Sequence, residues 1–461
     1  MEIKGKKITV LGIGISGREA ARWLCGNGGI VTLSDMLPEK DWPEDIKKWC
    51  GTKGVMIEVG GHMEETIKTS DLVVVSPGVP SNAPPIKWAK AQGIPCLGEF
   101  ALAVSLWKGP IIAITGTNGK TTTTKLLGAM MEKEGKRHVV AGNVGVPFIS
   151  CMDQNSPETL AVLEVSSFQL DYIPFEGNFF NAAAWLNLSP DHLDRYEDFK
   201  AYGESKAKLF DLQGENGWAV INHDDPELIP WRKRGAARRL FFSASPLDRP
   251  GAWFQEEKGI LHCVVDDNTR EEYDLSKWQL KGVHNLENLA ASVLLARVSG
   301  VGQKAVQSAI DTFRAPSHRL QFVLADKDLV FFDDSKATNV ASSLMAIRAL
   351  KEKIVLLAGG RGKGEDYSPL RVPAREGRLR AVVTLGEEAQ AIGEVFSGIV
   401  PVIRINGSDE GQKIMKEAVS AAVFYAKKGD AVLLSPACAS FDMFKNYEER
   451  GKAFQKAVRE L

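Results

Sequence analysis

The chain has 461 residues, enough for about three domains at roughly 100–200 residues each. Its 44% hydrophobic and 25% charged residues are the balance of a folded globular protein, which excludes a disordered or fibrous chain. The 57 Lys+Arg against 58 Asp+Glu leave a net charge of -1. No global basic field therefore exists to hold nucleic acid or an anionic membrane, and an anionic ligand must be met by a local site.

The first segment, MEIKGKKITVLGIGISGREAARWL, puts lysines before an apolar run as a signal peptide would. The run is short, broken by glycine and followed by Arg18 and Glu19, so it reads as a buried first strand. No run reaches about 18 apolar residues, so no membrane-spanning helix is expected. Cys25, Cys50, Cys96, Cys151, Cys263 and Cys438 form no CxxC pair. That spacing argues against a zinc site or disulfide framework and suits a reducing cytoplasm.

In chain order, short apolar runs alternate with helical patterns, the signature of α/β domains with largely parallel sheets. Strands are expected at Lys7–Leu11, Ile30–Leu33, Val55–Val59 and Leu72–Val75, the last followed by the proline-rich loop SPGVPSNAPP. The pattern restarts near Leu106–Pro110 with IIAIT and runs to about Phe313, ending in helices near His284–Ser299 and Gln303–Thr312. RAPSHR then reads as a linker, and a last block has strands near Leu329–Phe332, Ile354–Leu357, Ala381–Leu385 and Ala431–Leu434. The limits are drawn at residues 1–106, 107–315 and 316–461. Neither a short-period repeat nor a low-complexity tract is evident.

GIGISG fits GxGxxG with Gly12, Gly14 and Gly17, between a strand and a helix. Glycine there lets backbone N–H groups approach a pyrophosphate at a helix N-terminus. Asp35 ends the second strand, where a Rossmann domain places a ribose-binding acid. Three readings are open: NAD, a tight joint that binds nothing, or another nucleotide such as a UDP-sugar.

ITGTNGKTTTT, Ile114 to Thr124, lies between strand and helix. Gly116, Gly119, Lys120 and Thr121 supply the glycines, the lysine and the magnesium-binding hydroxyl of a phosphate loop, although the first glycine of strict GxxxxGKT falls on Ile114. The absence of an NKxD motif favours ATP over GTP. Glu164, in LEVSSFQL, and His192, in NLSPDHLDRY between Asp191 and Asp194, follow strand ends. Ligands of open α/β sheets lie beyond those ends, so both residues can reach the magnesium of the bound ATP. DDSKATN, AGGRGKGEDY and SPACASFDMFKNYEERG each open at a strand end and mix glycine, hydroxyl and one basic residue. They suit a small anionic substrate, with Lys336 and Lys363 as the cations to weigh against solvated surface lysines.

GTNGKTTTT, LEVSSFQL, NLSPDHLDRY, HNLENLAAS and DDSKATN, in this order, resemble the Mur ligase family of ATP-dependent amide-forming enzymes over essentially the whole chain. SPACASFDMFKNYEERG and GGRGKGEDY are similar to its D-glutamate-adding branch. The resemblance implies an α/β protein of three domains: N-terminal Rossmann-like, central P-loop ATPase-like and C-terminal Rossmann-like. It implies ATP and Mg2+, with UDP-N-acetylmuramoyl-L-alanine and D-glutamate as partners, and a cytoplasmic monomer.

Residue by residue, the resemblance places ATP on Gly116, Thr117, Asn118, Gly119, Lys120, Thr121, Thr122, Asn288 and Arg319. It places magnesium on Thr121, Glu164, His192 and a carbamylated Lys206, in YGESKAKLF. The UDP substrate falls on Gly14, Ile15, Ser16, Gly17, Ser34, Asp35, Met36, Ser76, Pro77, Gly78 and Asn143. D-Glutamate falls on Lys336, Thr338, Lys363, Ser440 and Tyr447, the last also found as Phe in the family. Catalysis is assigned to Lys120, Glu164, His192 and Lys206. A sister ligase adding another amino acid, or glutamate to a folate, is one alternative. An NAD-dependent dehydrogenase using GIGISG is the other, and it leaves GTNGKTTTT unexplained.

Overall fold

The computed structural model describes all residues except 1, 144, 174–176, 193–194, 267–268, 315–316, 327 and 406–409. Its strands fall into three sheets. The first sheet comprises β1 (Lys7–Leu11), β2 (Ile30–Ser34), β3 (Met56–Glu58), β4 (Leu72–Val75) and β5 (Cys96–Gly98). All its pairings are parallel, in the order β3-β2-β1-β4-β5. Buried Val10, Leu33, Val73 and Val74 show why these runs read as continuous apolar stretches: parallel sheets are covered on both faces.

The central sheet runs from β6 (Ile111–Thr115) through β7 (His138–Gly142), β8 (Leu160–Glu164), β9 (Ala182–Trp185), β10 (Trp218–Asn222) and β11 (Arg238–Ser243). It continues with β12 (Gly251–Gln255), β13 (Ile260–Asp266) and β14 (Thr269–Asp274). The order is β14-β13-β12-β11-β10-β9-β6-β8-β7, parallel except for the antiparallel pairs β12–β13 and β13–β14. The third sheet holds β15 (Gln321–Asp326), β16 (Leu329–Asp333), β17 (Ile354–Gly359), β18 (Leu379–Leu385), β19 (Val402–Arg404) and β20 (Ala431–Leu434). Its order is β15-β16-β20-β17-β18-β19, with only β15 antiparallel to its neighbour.

The expected strands β1, β4, β6 and β20 and the helix Gln303–Thr312 have the predicted bounds, and the other expected strands shift by a few residues. The linker Arg314–Arg319 includes residues 315–316, which lie outside the described residues.

One apolar core joins the first two sheets. Helix Glu99–Leu106 packs on the turn Phe148–Gln154, with Trp107 and Phe148 ring centroids 5.0 Å apart. The buried Glu99 Oε1 accepts the Ile149 N–H at 2.9 Å. Among the described residues no helix is long and apolar enough to cross a membrane.

Candidate active site

The phosphate loop leaves β6 and enters helix Lys120–Glu134. Gly119 has φ +85°, and a Cβ built there would lie 2.2 Å from Asn288 Oδ1, so the position demands glycine twice over. The segment after β9 holds the loop open. Asn187 O accepts from Thr117 N–H at 3.0 Å, and Asn187 Oδ1 accepts from Asn118 N–H at 2.8 Å. Lys120 Nζ donates to Gly116 O at 2.7 Å and Thr117 O at 2.9 Å, so it is curled over the loop whose phosphates it would meet. Burial lowers its pKa, with Glu164 the largest opposing influence. Thr121 and Thr122 are buried beside it.

Glu164 ends β8 and is buried; its Oε1 accepts from Asn143 Nδ2 at 3.2 Å, while its carbonyl accepts the Asn143 N–H at 2.8 Å. His192 adopts a left-handed φ of +56°, and its ring packs 4.8 Å from that of Phe168. Burial pushes its pKa down to about 4, leaving a neutral imidazole with a lone pair at pH 7. Asp194 lies outside the described residues.

Lys206 is carried by helix Phe199–Asp211 and is only 1% exposed. Its Nζ donates to Gly116 O at 3.2 Å and stands 4.7 Å from the Tyr202 ring centre. Burial first, and then the Lys120 charge, hold its pKa well below the lysine range.

The three strand-end loops of the third sheet are bound together. Arg361 and Ala439 exchange both backbone hydrogen bonds at 3.0 Å, laying the Lys363 loop beside the Ser440 loop. Arg450, fully buried, donates to Ser335 Oγ at 3.0 Å, Ser335 O at 2.8 Å, Cys438 O at 3.0 Å and Ala439 O at 3.2 Å. Lys336 Nζ lies 3.8 Å from the centre of the Tyr447 ring, a contact that a Phe would also make. Burial, its largest influence, lowers its pKa to about 8. Thr338 is half-buried and Ser440 buried in the same loops. Arg450→Met is expected to cost about 3 kcal/mol, because the buried Ser335 and Cys438 carbonyls lose their donor at once; denaturant unfolding measures it.

The central and third sheets meet through polar groups, of which the sequence singled out Lys363 and Asn118 but not Asn339 and Ser342. Buried Asp191 accepts from Lys363 Nζ and from Asn339 Nδ2, both at 3.2 Å. Asn118 Oδ1, in the phosphate loop, accepts from Ser342 Oγ at 2.6 Å. Between the two sheets lies a cleft walled by Asn118, Gly119, Thr122, Asn288, Arg319 and Lys336.

A second cleft, of about 820 Å3, lies at the first sheet. Gly14, Ile15, Ser16, Asp35, Met36, Ser76, Pro77, Gly78 and Asn143 line it as expected, and so do Gln169 and His62. Gly17 and Ser34 do not line it. A Cβ at Gly17 would fall 1.9 Å from Gly12 O, so that glycine serves the close approach of helix to strand. Ser34 is fully buried, its hydroxyl 2.8 Å from Glu58 Oε2 and 2.7 Å from His62 Nδ1. Asp35 spends its carboxylate on the N–H groups of Ile13 and Leu37, at 2.7 and 2.8 Å. Asn143 lines this second cleft and donates to Glu164 beside the phosphate loop.

Three Mur ligase domains match the chain: the MurD-like N-terminal domain over residues 6–98, the middle domain over 114–296 and the glutamate ligase domain over 318–438. A UDP-N-acetylmuramoylalanine--D-glutamate ligase of Acidobacterium capsulatum is 40% identical over 99% of this chain and 97% of its own. One from Koribacter versatilis is 37% identical over 100% of this chain and 99% of its own. The chain belongs to the Mur ligase family. Solved Mur ligase structures share the fold. The pseudomurein peptide ligase type C of Methanothermus fervidus has a TM-score of 0.63 at 18% identity, covering 99% of this chain and 100% of that one. The MurF ligase of Thermotoga maritima, solved with ADP, has a TM-score of 0.56 at 18% identity, covering 100% and 96%.

In this Mur ligase, no three His, Cys, Asp or Glu side chains among the described residues converge on one metal position. The Thr121 hydroxyl and the Glu164 carboxylate are donors of the type magnesium takes, since it uses one or two protein carboxylates and completes its shell with phosphate oxygens and water; the neutral His192 offers a nitrogen lone pair.

Proposed function

We propose that this Mur ligase joins D-glutamate to UDP-N-acetylmuramoyl-L-alanine at the expense of ATP, a step of peptidoglycan precursor synthesis. The full-length similarity to ligases of that name supports the substrates. The observation that carries the chemistry is Asn143, which joins the wall of the substrate cleft to Glu164 at the phosphate loop.

A carboxylate is a poor acyl donor until it is phosphorylated. The UDP diphosphate sits at the N-terminus of helix Ile15–Gly26, whose free N–H groups and positive dipole end suit it. The L-alanyl carboxylate then lies at Asn143. Its oxygen attacks the γ-phosphorus of ATP, the bond to ADP breaks, and an acyl phosphate forms. The D-glutamate amine attacks the acyl carbon, and the tetrahedral intermediate expels phosphate. Lys120 offsets charge on the transferred group, and Asn118, Thr122, Asn288 and Arg319 hold the nucleotide. Bound magnesium, held by Thr121, Glu164, His192 and a carbamylated Lys206, would supply further positive charge at the phosphates. Lys336, Thr338, Lys363, Ser440 and Tyr447 hold the amino acid.

Phosphate release is measured with UDP-N-acetylmuramoyl-L-alanine, ATP and magnesium in the presence of D-glutamate, L-glutamate, L-alanine or diaminopimelate. D-Glutamate alone should support turnover, and turnover with another amino acid instead would assign a sister reaction. Lys363→Ala should chiefly raise the KM for D-glutamate, since a hydrogen bond to a charged group contributes about 1.5–3 kcal/mol. A rise in the KM for ATP instead would move Lys363 out of the amino-acid site.

A further inference from the structure

Two loops that belong to different sheets are tied together by one side chain. Arg195 follows His192 closely, and the N–H groups of Arg195 and Tyr196 both donate to His192 O, at 3.0 and 3.2 Å. The turn so closed holds His192 at its left-handed φ of +56°, a backbone state that persists only where the surroundings fix it. From this turn the half-buried Arg195 crosses to the first sheet. Its Nη1 donates to Pro77 O at 3.0 Å and its Nη2 to Val79 O at 3.5 Å. Pro77 and Val79 lie in the loop after β4 that walls the second cleft. The Arg195 guanidinium carbon also stands 3.8 Å from the centre of the Phe168 ring, and the same ring packs 4.8 Å from the His192 imidazole. One aromatic ring therefore meets both His192 and the cation that grips the cleft loop. A guanidinium can stack on a ring and still present a fork of donors to two carbonyls, which an ammonium on a flexible stem cannot. Val79 O has a second anchor that does not pass through Arg195: Tyr172 Oη donates to it at 2.6 Å.

On the reading that the UDP substrate occupies this cleft, we propose that Arg195 is a positioning residue that locks the Pro77–Val79 loop to the turn of His192, so that a loop settled by substrate also settles the imidazole. Substrate that prefers the fixed loop then favours the fixed turn, and the coupling runs equally in the other direction. Arg195 acts through Phe168 and the two carbonyls and need not touch a reacting atom. Tyr172 provides the comparison, since its hydroxyl steadies the loop without joining it to the turn.

Hydrogen exchange is followed at the Val79 and Tyr196 amides of the ligand-free full chain, whose acceptors are Ser76 O and His192 O. Arg195→Met should speed exchange at both by about tenfold or more, the scale of losing one hydrogen bond from a charged group. Tyr172→Phe should speed it at Val79 alone. Steady-state kinetics with UDP-N-acetylmuramoyl-L-alanine, ATP, magnesium and D-glutamate then separate KM for the UDP substrate from kcat. Tyr172→Phe should raise that KM and leave kcat near the wild-type value. Arg195→Met should raise the same KM and also lower kcat by about tenfold, and Arg195→Lys should recover part of both, because its ammonium keeps one donor. If Arg195→Met does not fold, Phe168→Leu, which removes the shared ring, should show the same paired loss. Unchanged exchange at Tyr196, a raised KM with full kcat in Arg195→Met, or an equal loss of kcat in Tyr172→Phe would overturn the positioning role and leave the reading of the cleft standing. Wild-type protein that does not turn over the UDP substrate would overturn the reading of the cleft, and the positioning role with it.

Discussion

Replacing Lys120 by alanine is expected to lower turnover by about a hundredfold or more, the scale of losing one preorganised electrostatic contact. Lys120 opens helix Lys120–Glu134, and its ammonium already lies on the carbonyls of Gly116 and Thr117. A nucleotide phosphate offers it a charged acceptor in place of neutral ones, and charge on the transferred group grows toward the transition state. The loss should therefore fall on kcat as well as on ATP binding, and steady-state kinetics at saturating ATP separates the two. Near-normal turnover there would remove Lys120 from the chemistry.

Lys206→Ala should be nearly inactive and partly recovered by added acetate or another short acid. An ammonium at this position would repel magnesium, having donors only. Its place in the molecule suits the uncharged amine to which carbon dioxide adds: it is 1% exposed and bonded to the neutral Gly116 carbonyl. Carbamylation would give it a negative charge and two acceptor oxygens beside Glu164 and His192, completing a donor set that is otherwise short. Rescue by acetate separates this role from packing, because a short acid restores oxygens and leaves a lost side-chain volume largely unfilled. Intact-mass measurement on protein kept in bicarbonate with magnesium offers a second check. An unmodified amine under those conditions, with full activity, would refute the carbamate.

Much of the architecture was legible because buried parallel strands write themselves as unbroken apolar runs. LVVV in β4 and AVLL in β20 needed no further context. Several of the strands not expected lack that signal, unlike WAVIN in β10. In β14, TREEYD alternates charge with little apolar content, and it pairs as an outer antiparallel strand whose stability comes from its neighbour β13. The three-residue β5 and β19 are too short to show any period. The phosphate loop was readable because its glycines, lysine and threonines are contiguous. His62, which lines the first-sheet cleft, was not, since its hydrogen-bond partner Ser34 lies 28 positions earlier and is brought beside it only by the β2–β3 pairing. Asp191 was noticed only as a neighbour of His192, because its partners Asn339 and Lys363 are 148 and 172 residues away.

If D-glutamate binds Lys363 as proposed, the Asp191–Lys363 contact turns that binding into an exchange. Lys363 Nζ already faces the Asp191 carboxylate at 3.2 Å, so a D-glutamate carboxylate placed at Lys363 as proposed would compete with an internal one. The free energy gained at Lys363 is then the difference between two similar ion pairs, and selectivity rests on what the internal carboxylate cannot imitate: the chirality and the second carboxylate of the ligand. Asp191 in turn is released to rehydrate or to pair elsewhere, since an isolated buried carboxylate is costly. On the proposed placement of D-glutamate, the protein's own side chain would thus weaken the apparent affinity of the amino-acid site by the fraction of time it occupies Lys363.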